Sequence, residues 1–538
     1  MDASRFNVTR LDHLGLVAGF CKEVGLEEII NETLPKLSHR SHISNGTLLV
    51  AMILNGLGFV SRTLHMYPEY FADKPTERLL GVGILPSHIN DDVMGRFLDG
   101  LYESEEGISS LYEKLAARVV GRLELECKSL NIDTTSFHLD GDYEQDIDAT
   151  SIKITRGYSR DHRPDLNQVV LSLITENQAG IPLYMQACSG NMNDVEIFKK
   201  TVKSHVSSLK AAYNNTYFIG DSALYTEEAI QALSEQKQLF ITRVPQKLIE
   251  AKKVLKQAKT VDWIELKEGY AGVWFDSSYG DIQQKWLLVR SAQAKVREKH
   301  ILDAAISKET ERSVKSFKKL CRQKFACEQD AQMTYSKWLA EQEFIKIEGF
   351  EVAQQSKRAK RGRPAESDEV KTHFQITGII MTSLALREDA QETKGLFILG
   401  TNDLSESLSM QFLLDEYKSQ QAVERGFRFL KSPDFLTSSL FLKKPERIEA
   451  LLMIMTCSLM VYAAIEHLIR RNLAEKGTAF PDMKKKPTQR PTAKWVFFCF
   501  QGISVLLIDN NTQVVTNIID RQKVILDCLG KPYWDFYS

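Results

Sequence analysis

Apolar positions recur with two different periods along the chain, and the period changes near Glu124. Upstream, Leu14, Leu16, Val17, Phe20, Val24 and Leu26 fit one helical face, and Thr47–Leu64 reads as a more apolar helix. Val93, Met94, Phe97, Leu98 and Leu101 repeat the 3.6-residue stripe. Asn90 stands before that stripe as a cap, with Asp91 and Asp92 in the first turn, where the helix dipole favours acids. Residues 1–120 are therefore read as an all-helical domain, either a DNA-binding helix-turn-helix or a packing and dimerising bundle.

Downstream the texture is that of strands. Leu130–Thr135, Val169–Thr175 and Pro182–Cys188 are β-like, and the last two flank the turn Glu176–Gly180, a hairpin signal. A helix over Asp194–Leu209, a short strand Thr216–Asp221, a helix Thr226–Glu235 capped by Thr226 and a strand Leu239–Arg243 follow. The order β-β-β-α-β-α-β predicts a hairpin meander continued by crossovers, hence a mixed sheet in an α/β fold. Residues 247–392 break the pattern with strand-like pieces at 271–275, 285–289 and 374–381 and a long polar helical stretch at 295–343, an α+β insertion domain with a helical arm. Strand character returns at Gly395–Thr401, before helices over Gln411–Lys431 and Ile448–Arg471 and a tail holding Lys484–Lys486, Arg490 and a β-like Trp495–Phe500. The resulting segments are 1–120, 121–246, 247–392, 393–475 and 476–538.

Charge narrows the function classes. The 538 residues hold 69 Lys and Arg against 70 Asp and Glu, which excludes coating of DNA by net charge but leaves local basic patches. The eight cysteines form no C-x-x-C pair, and no P-loop, H-E-x-x-H or G-x-S-x-G motif occurs. Ala450–Ile465, the longest apolar run, is shorter than the ~18 residues of a spanning helix and reads as a buried core helix. No membrane is expected, and the opening residues lack the apolar core of a signal peptide, so a cytoplasmic location is expected.

Two acids end or interrupt apolar strands: Asp133 in Asn-Ile-Asp-Thr-Thr and Asp221 in Phe-Ile-Gly-Asp-Ser. An acid so placed is paired, hydrated or bound to metal. A third piece is the helix Tyr417–Lys431. On an ideal wheel at ~100° per residue, Tyr417, Gln420, Glu424, Arg428 and Lys431 fall on one face, within an arc of about 80°. Ala422, Val423, Phe429 and Leu430 lie opposite. One acid among cations and hydrogen-bond donors suits a phosphate-handling surface, although a solvated helix face has the same composition.

The spacing Y-x(2)-Q-x(3)-E-x(6)-K closely resembles the Y-x(2)-R-x(3)-E-x(6)-K signature of bacterial insertion-sequence transposases in the IS-four-like superfamily. Asp133, Asp221 and the distant Glu424 resemble that family's DDE triad, and the sheet order is similar to its RNase H-like fold. The long interval before Glu424 resembles members with an insertion ahead of the final acid. The motifs at 157–166 (Gly-Tyr-Ser-Arg-Asp-His-Arg-Pro-Asp-Leu) and 189–194 (Ser-Gly-Asn-Met-Asn-Asp) are similar to those of a long-chain branch. The resemblance implies an RNase H-like mixed-sheet core, interrupted by the insertion and preceded by the helical domain. It implies a transposase that cuts element ends and joins their 3′-OH groups to target DNA. Its partners would be double-stranded DNA, as terminal inverted repeats and target, and a second copy in a synaptic homodimer. The setting would be the bacterial cytoplasm, at the nucleoid when bound.

Asp133, Asp221 and Glu424 are then expected as catalytic metal ligands. Three carboxylates within ~4 Å repel by roughly 4 kcal/mol per pair at an effective dielectric of 20, so cations must lie among them. All-oxygen ligation favours two Mg²⁺ ions, with Mn²⁺ as substitute. Tyr417, Gln420, Arg425, Arg428 and Lys431 are expected to contact DNA. Gln420 stands where the family has arginine, and Arg428, one turn after Glu424, is a candidate for the missing charge. Arg361 and Arg363, in a basic run similar to an AT-hook core, and His162 and Arg163 are further DNA-binding candidates, with His138 close to Asp133 in sequence. The competing readings are an RNase H-like nuclease without strand transfer and a non-catalytic DNA-binding derivative.

Overall fold

A computed structural model describes residues 6–37, 41–59, 64–141, 143, 151–159, 163–358, 370–432, 442–508 and 512–538. The chain divides into two units. One comprises residues 1–243, 278–284 and 400–538, and the other 244–277 and 285–399.

The first unit opens with a strand, β1 (Phe6–Arg10), so its N-terminal region is not all-helical. Helices α1 (Leu14–Val24), α2 (Leu26–Thr33), α3 (Asn45–Leu57), α4 (Tyr67–Ala72), α5 (Thr76–Leu80), α6 (Asp91–Tyr102) and α7 (Ile108–Leu123) follow. Local chemistry sets their starts: Ser44 accepts from Thr47 N, and Asn90 accepts from Val93 N at 3.1 Å. Strands β2 (Ser129–Leu139), β3 (Asn167–Glu176) and β4 (Pro182–Ser189) form the expected meander, followed by α8 (Asp194–Tyr213), β5 (Tyr217–Gly220), α9 (Glu227–Glu235) and β6 (Leu239–Arg243). The buried Glu176 carboxylate closes the β3–β4 turn by accepting from Gln178 N, Ala179 N and Ile181 N.

Within this unit the strand order is β4-β3-β2-β5-β6. β2 is antiparallel to β3 and parallel to β5, and β5 is parallel to β6. It is therefore the mixed sheet that the hydrophobic pattern predicts. β2 is central and buried along almost its whole length; only Asp133 and His138 are partly accessible.

The second unit covers the stretch read as an insertion. It contains α10 (Ile249–Lys256), β7 (Ile264–Glu265), α11 (Ala292–Cys321), α12 (Glu328–Ala340), β10 (Ile345–Arg358), β11 (Val370–Thr382) and α13 (Leu384–Glu392), with most of β8 (Tyr270–Tyr279), β9 (Ile282–Ser291) and β12 (Leu396–Thr401). The polar stretch at 295–343 is two helices, and β10, absent from the sequence reading, forms a long antiparallel ribbon with β11. Phe317, Leu320, Ala331 and Ile376 make a small core beneath that ribbon. Such a core is built from few large apolar residues, which is why the sequence looks polar there.

The first unit resumes with α14 (Met410–Lys418), α15 (Gln421–Leu430) and α16 (Pro445–Glu475), then short β13 (Phe480–Pro481) and β14 (Pro487–Thr488), α17 (Ala493–Cys499), β15 (Ser504–Ile508), β16 (Thr512–Thr516), α18 (Asp520–Leu529) and α19 (Lys531–Tyr537). α16 has 31 residues and is long and apolar enough to cross a membrane, but 78% of its most apolar window is buried. It packs against α1, α3, α6, α7 and β4 and is the spine of this unit's core. Trp495–Phe500, read as β-like, is helical instead. Thr492 caps it by accepting from Trp495 N, and Val496, Phe497, Cys499 and Phe500 are buried at helical spacing. The tail does not stand apart: β1 pairs with β15, and α1 packs on α19.

Candidate active site

Strand register brings the two aspartates together. Asn131 of β2 lies opposite Ile219 of β5, so continuing two residues along both chains sets Asp133 level with Asp221. Gly220 of β5 lies opposite Thr242 of β6, which sets Asp221 level with Arg243. Adjacent strands are ~4.8 Å apart, so the three residues form a row across the sheet, with Asp221 and Arg243 at the C-terminal ends of β5 and β6 and Asp133 midway along the longer β2. Side-chain and backbone bonds hold the row. Asp133 Oδ1 accepts from Thr134 N at 2.7 Å, Asp221 Oδ1 accepts from Ala223 N at 2.9 Å, and Thr242 Oγ1 donates to the Asp221 carbonyl at 2.7 Å.

Glu424 reaches the same place from α15. The sequence pattern predicts one helix over Gln411–Lys431, but its regular bonding is interrupted at Ser419–Gln420. Ser419 Oγ bonds to the Glu416 carbonyl at 2.6 Å and to Asn131 Oδ1 at 3.2 Å, which fastens the break to β2 two residues before Asp133. Both residues keep right-handed dihedrals, and Glu424 N still bonds to the Gln420 carbonyl, so the face continues across the break. The buried Val423, Phe427 and Leu430 seat α15, which packs on α16 and β2.

The result is a cleft of about 670 Å³. Asp133, Asp221 and Glu424 line it, as do Tyr417, Gln420, Arg428 and Lys431, all from the helix face read in the sequence. Two further charged residues line it that the sequence reading missed, Asp194 and Arg243. Asp194 begins α8 and accepts from Thr134 Oγ1 at 2.5 Å, beside Asp133. It looked like an ordinary acid in a first helical turn, although it closes the Ser-Gly-Asn-Met-Asn-Asp motif. Arg243 ends an apolar strand just as Asp221 does, and that was the available signal.

Tyr417 reports on the electrostatics. Burial pushes its phenol up to about 12; Arg243 opposes the rise, and Asp221, Glu424 and Asp133 add to it. All three candidate acids thus act on one hydroxyl. They are not packed into a tight cluster: among the described residues no three His, Cys, Asp or Glu side chains converge as metal ligands. Each aspartate accepts from a backbone N–H one or two residues ahead of it, and Glu424 is exposed on α15.

Other expectations fall elsewhere. Arg425 is exposed and does not line the cleft, because one residue past Glu424 is ~100° around the helix. Arg163 is exposed and pairs with Asp165 at 2.8 Å rather than lining the cleft. His138 Nε2 lies 3.3 Å from Ser159 Oγ. His162, Arg361 and Arg363 lie outside the described residues.

The family model for the transposase DDE domain matches residues 140–461, more than half of the chain. The chain belongs to the DDE transposase family. This transposase is an enzyme, and its matched segment contains Asp221 and Glu424 and begins just after β2, which carries Asp133. A second model, a domain of unknown function (DUF4277), matches residues 6–117. No curated protein matches the transposase. Among solved structures it is similar to the cryo-EM structure of the piggyBac transposase synaptic complex with hairpin DNA, with a TM-score of 0.39 and 11% identity over 92% of this chain and 82% of that one.

Proposed function

We propose that this transposase cuts the ends of an insertion sequence and joins the freed 3′-hydroxyls to target DNA, and that Asp133, Asp221 and Glu424 are its catalytic acids. The observation that carries the reading is one cleft lined by all three acids together with Arg243, Arg428, Lys431 and Tyr417. The sheet order β4-β3-β2-β5-β6, antiparallel then parallel, supports an RNase H-like core. The Tyr417–Lys431 spacing supports membership of the bacterial IS-four-like group.

The donor set suits hard divalent cations, since Asp133, Asp221 and Glu424 offer only carboxylate oxygens to the cleft. They would hold two Mg²⁺ or Mn²⁺ ions, which when bound polarise a phosphoryl oxygen and the attacking hydroxyl. The chain's own groups bind and orient the DNA. Arg243, Arg428 and Lys431 neutralise phosphate, and the planar guanidinium fork matches a phosphate bidentately. Tyr417, kept as a phenol by burial, and Gln420 donate hydrogen bonds. In the first step water adds to phosphorus as the P–O3′ bond breaks, leaving a 3′-OH on the element end. In the second, that hydroxyl attacks a target phosphate and displaces another O3′, so one P–O bond forms for each one lost. Two ends must be held at once, which supports a homodimer on double-stranded DNA.

The test is Asp133→Asn, Asp221→Asn and Glu424→Gln on a duplex carrying the inverted repeat that brackets the gene. Cleavage should fall by at least ~10³-fold, with end binding changed less than threefold, the scale of losing a central electrostatic group. Near-wild-type cleavage by any variant would remove that residue from the site. Joining of pre-cut ends to plasmid DNA separates a transposase from a nuclease that stops at hydrolysis.

A further inference from the structure

One side chain lining the cleft has no place in the phosphate chemistry. Tyr158 is 88% exposed, an unusual state for a tyrosine beside a site, yet its backbone is tightly held. Gln168 Nε2 donates to the Tyr158 carbonyl at 3.1 Å and to the Gly190 carbonyl at 2.7 Å. Thr155 and Gln168 exchange backbone bonds, and Gly190 N donates to the Lys153 carbonyl. A Cβ at Gly157 would stand 2.0 Å from the Gly190 carbonyl oxygen, and one at Gly190 would stand 2.0 Å from that of Gln168. Neither glycine has positive φ, so each is small because two backbones touch there.

The segment is also two-faced. Ile152 and Ile154 are buried, at 9% and 4%, and Ser159 is buried beside His138. Lys153, Arg156 and Tyr158 face outward. A rigid extended strip that buries its aliphatics and displays two cations and an aromatic ring matches what unpaired DNA needs. Cations follow the phosphates, and a flat ring takes a base. Tyrosine supplies that face at low entropic cost, having few rotatable bonds.

We infer that Tyr158 is a stacking platform for an unpaired base of the DNA end, with Arg156 and Lys153 on the adjoining phosphates. This rests on the cleft being where DNA is processed, as proposed above. The platform keeps the strand that leaves the scissile phosphate from re-pairing.

The test measures binding of the full chain, in Ca²⁺, to a fluorescein-labelled duplex with a three-nucleotide 3′ overhang and to the same duplex with blunt ends. Wild type should prefer the overhang by ~5–150-fold, the range of one base–aromatic stack. Tyr158→Ala should abolish the preference, while Tyr158→Phe and Tyr158→Trp should keep it. Abasic overhang nucleotides should bring wild type down to the Tyr158→Ala value. If wild type binds the blunt duplex without overhang preference, or Tyr158→Phe loses as much as Tyr158→Ala, the platform is wrong while the cleft's role in DNA binding stands. Failure to bind either duplex would instead count against the DNA reading of the cleft.

Discussion

Replacing Arg243 with alanine is the sharpest probe of the cleft, because this residue came from strand register rather than from the family signature. Arg243 ends β6, level with Asp221, and its charge is felt at Tyr417. A hydrogen bond between ionised groups contributes about 1.5–3 kcal/mol. Arg243 is only partly buried, so the lower half of that range applies. At ~1.4 kcal/mol per tenfold, Arg243→Ala should slow single-turnover cleavage by about 10–40-fold. Arg243→Lys keeps the charge but loses the two-pronged geometry, and should recover part of the loss. The assay is cleavage of the end-bearing duplex under enzyme excess, with thermal unfolding measured alongside. Cleavage within twofold of wild type would refute a phosphate contact. A loss of rate matched by a fall of several degrees in Tm, with Lys no better than Ala, would also refute it. Arg243 would then serve to balance the acids of the folded chain.

Arg428→Ala should cost more activity than Gln420→Ala, by about 2–5-fold given that Arg428 is exposed, and Gln420→Arg should partly rescue Arg428→Ala; a larger loss at Gln420, or no rescue, would end the idea that Arg428 replaces the family arginine. Glu449 on α16 is pushed up from 4.5 to about 7 by burial and then by Glu446. The folded chain therefore holds a proton that the unfolded chain has released across that window. Stability is fully present below pH ~4.5 and falls by up to about 3 kcal/mol as pH rises through 7. Glu449→Gln should flatten that fall in urea melts at pH 5 and 8, and an unchanged slope would assign it to another group.

The mixed sheet was legible because its strands are largely buried, so apolar runs and the Gly-containing turn between β3 and β4 carried the element order. The segments that misled were those where local pattern and tertiary setting disagree. Trp495–Phe500 is rich in aromatics and reads as a strand, but the Thr492 cap and a buried i, i+3, i+4 set make it α17. Phe6–Arg10 is too short to announce a strand and becomes one only because β15, some 500 residues later, offers an edge. No local signal can carry such a pairing. The break at Ser419 was hidden for the opposite reason: the sequence there is good helix, and the contact that accompanies the break, from Ser419 to Asn131, comes from another element.

The site shows the same division between what spacing fixes and what topology adds. Helical spacing placed Tyr417, Gln420, Glu424, Arg428 and Lys431 on one face, and they line one cleft. Asp194 and Arg243 stand outside that helical spacing; each arrives at the cleft through an element's end. A parallel register converts position along a strand into position across a sheet, so a polar residue ending an apolar strand at the level of Asp221 must share its solvent. That rule, applied to Leu239–Arg243, would have found Arg243 from the sequence once β5 and β6 were taken as parallel neighbours. Asp194 follows from the next step outward: the helix after β4 starts beside β2, and Thr134 binds its first acid. Asp221, Arg243 and Asp194 are thus brought to Asp133 on β2 by two strand ends and a helix start, and the sheet's order decides which of them meet.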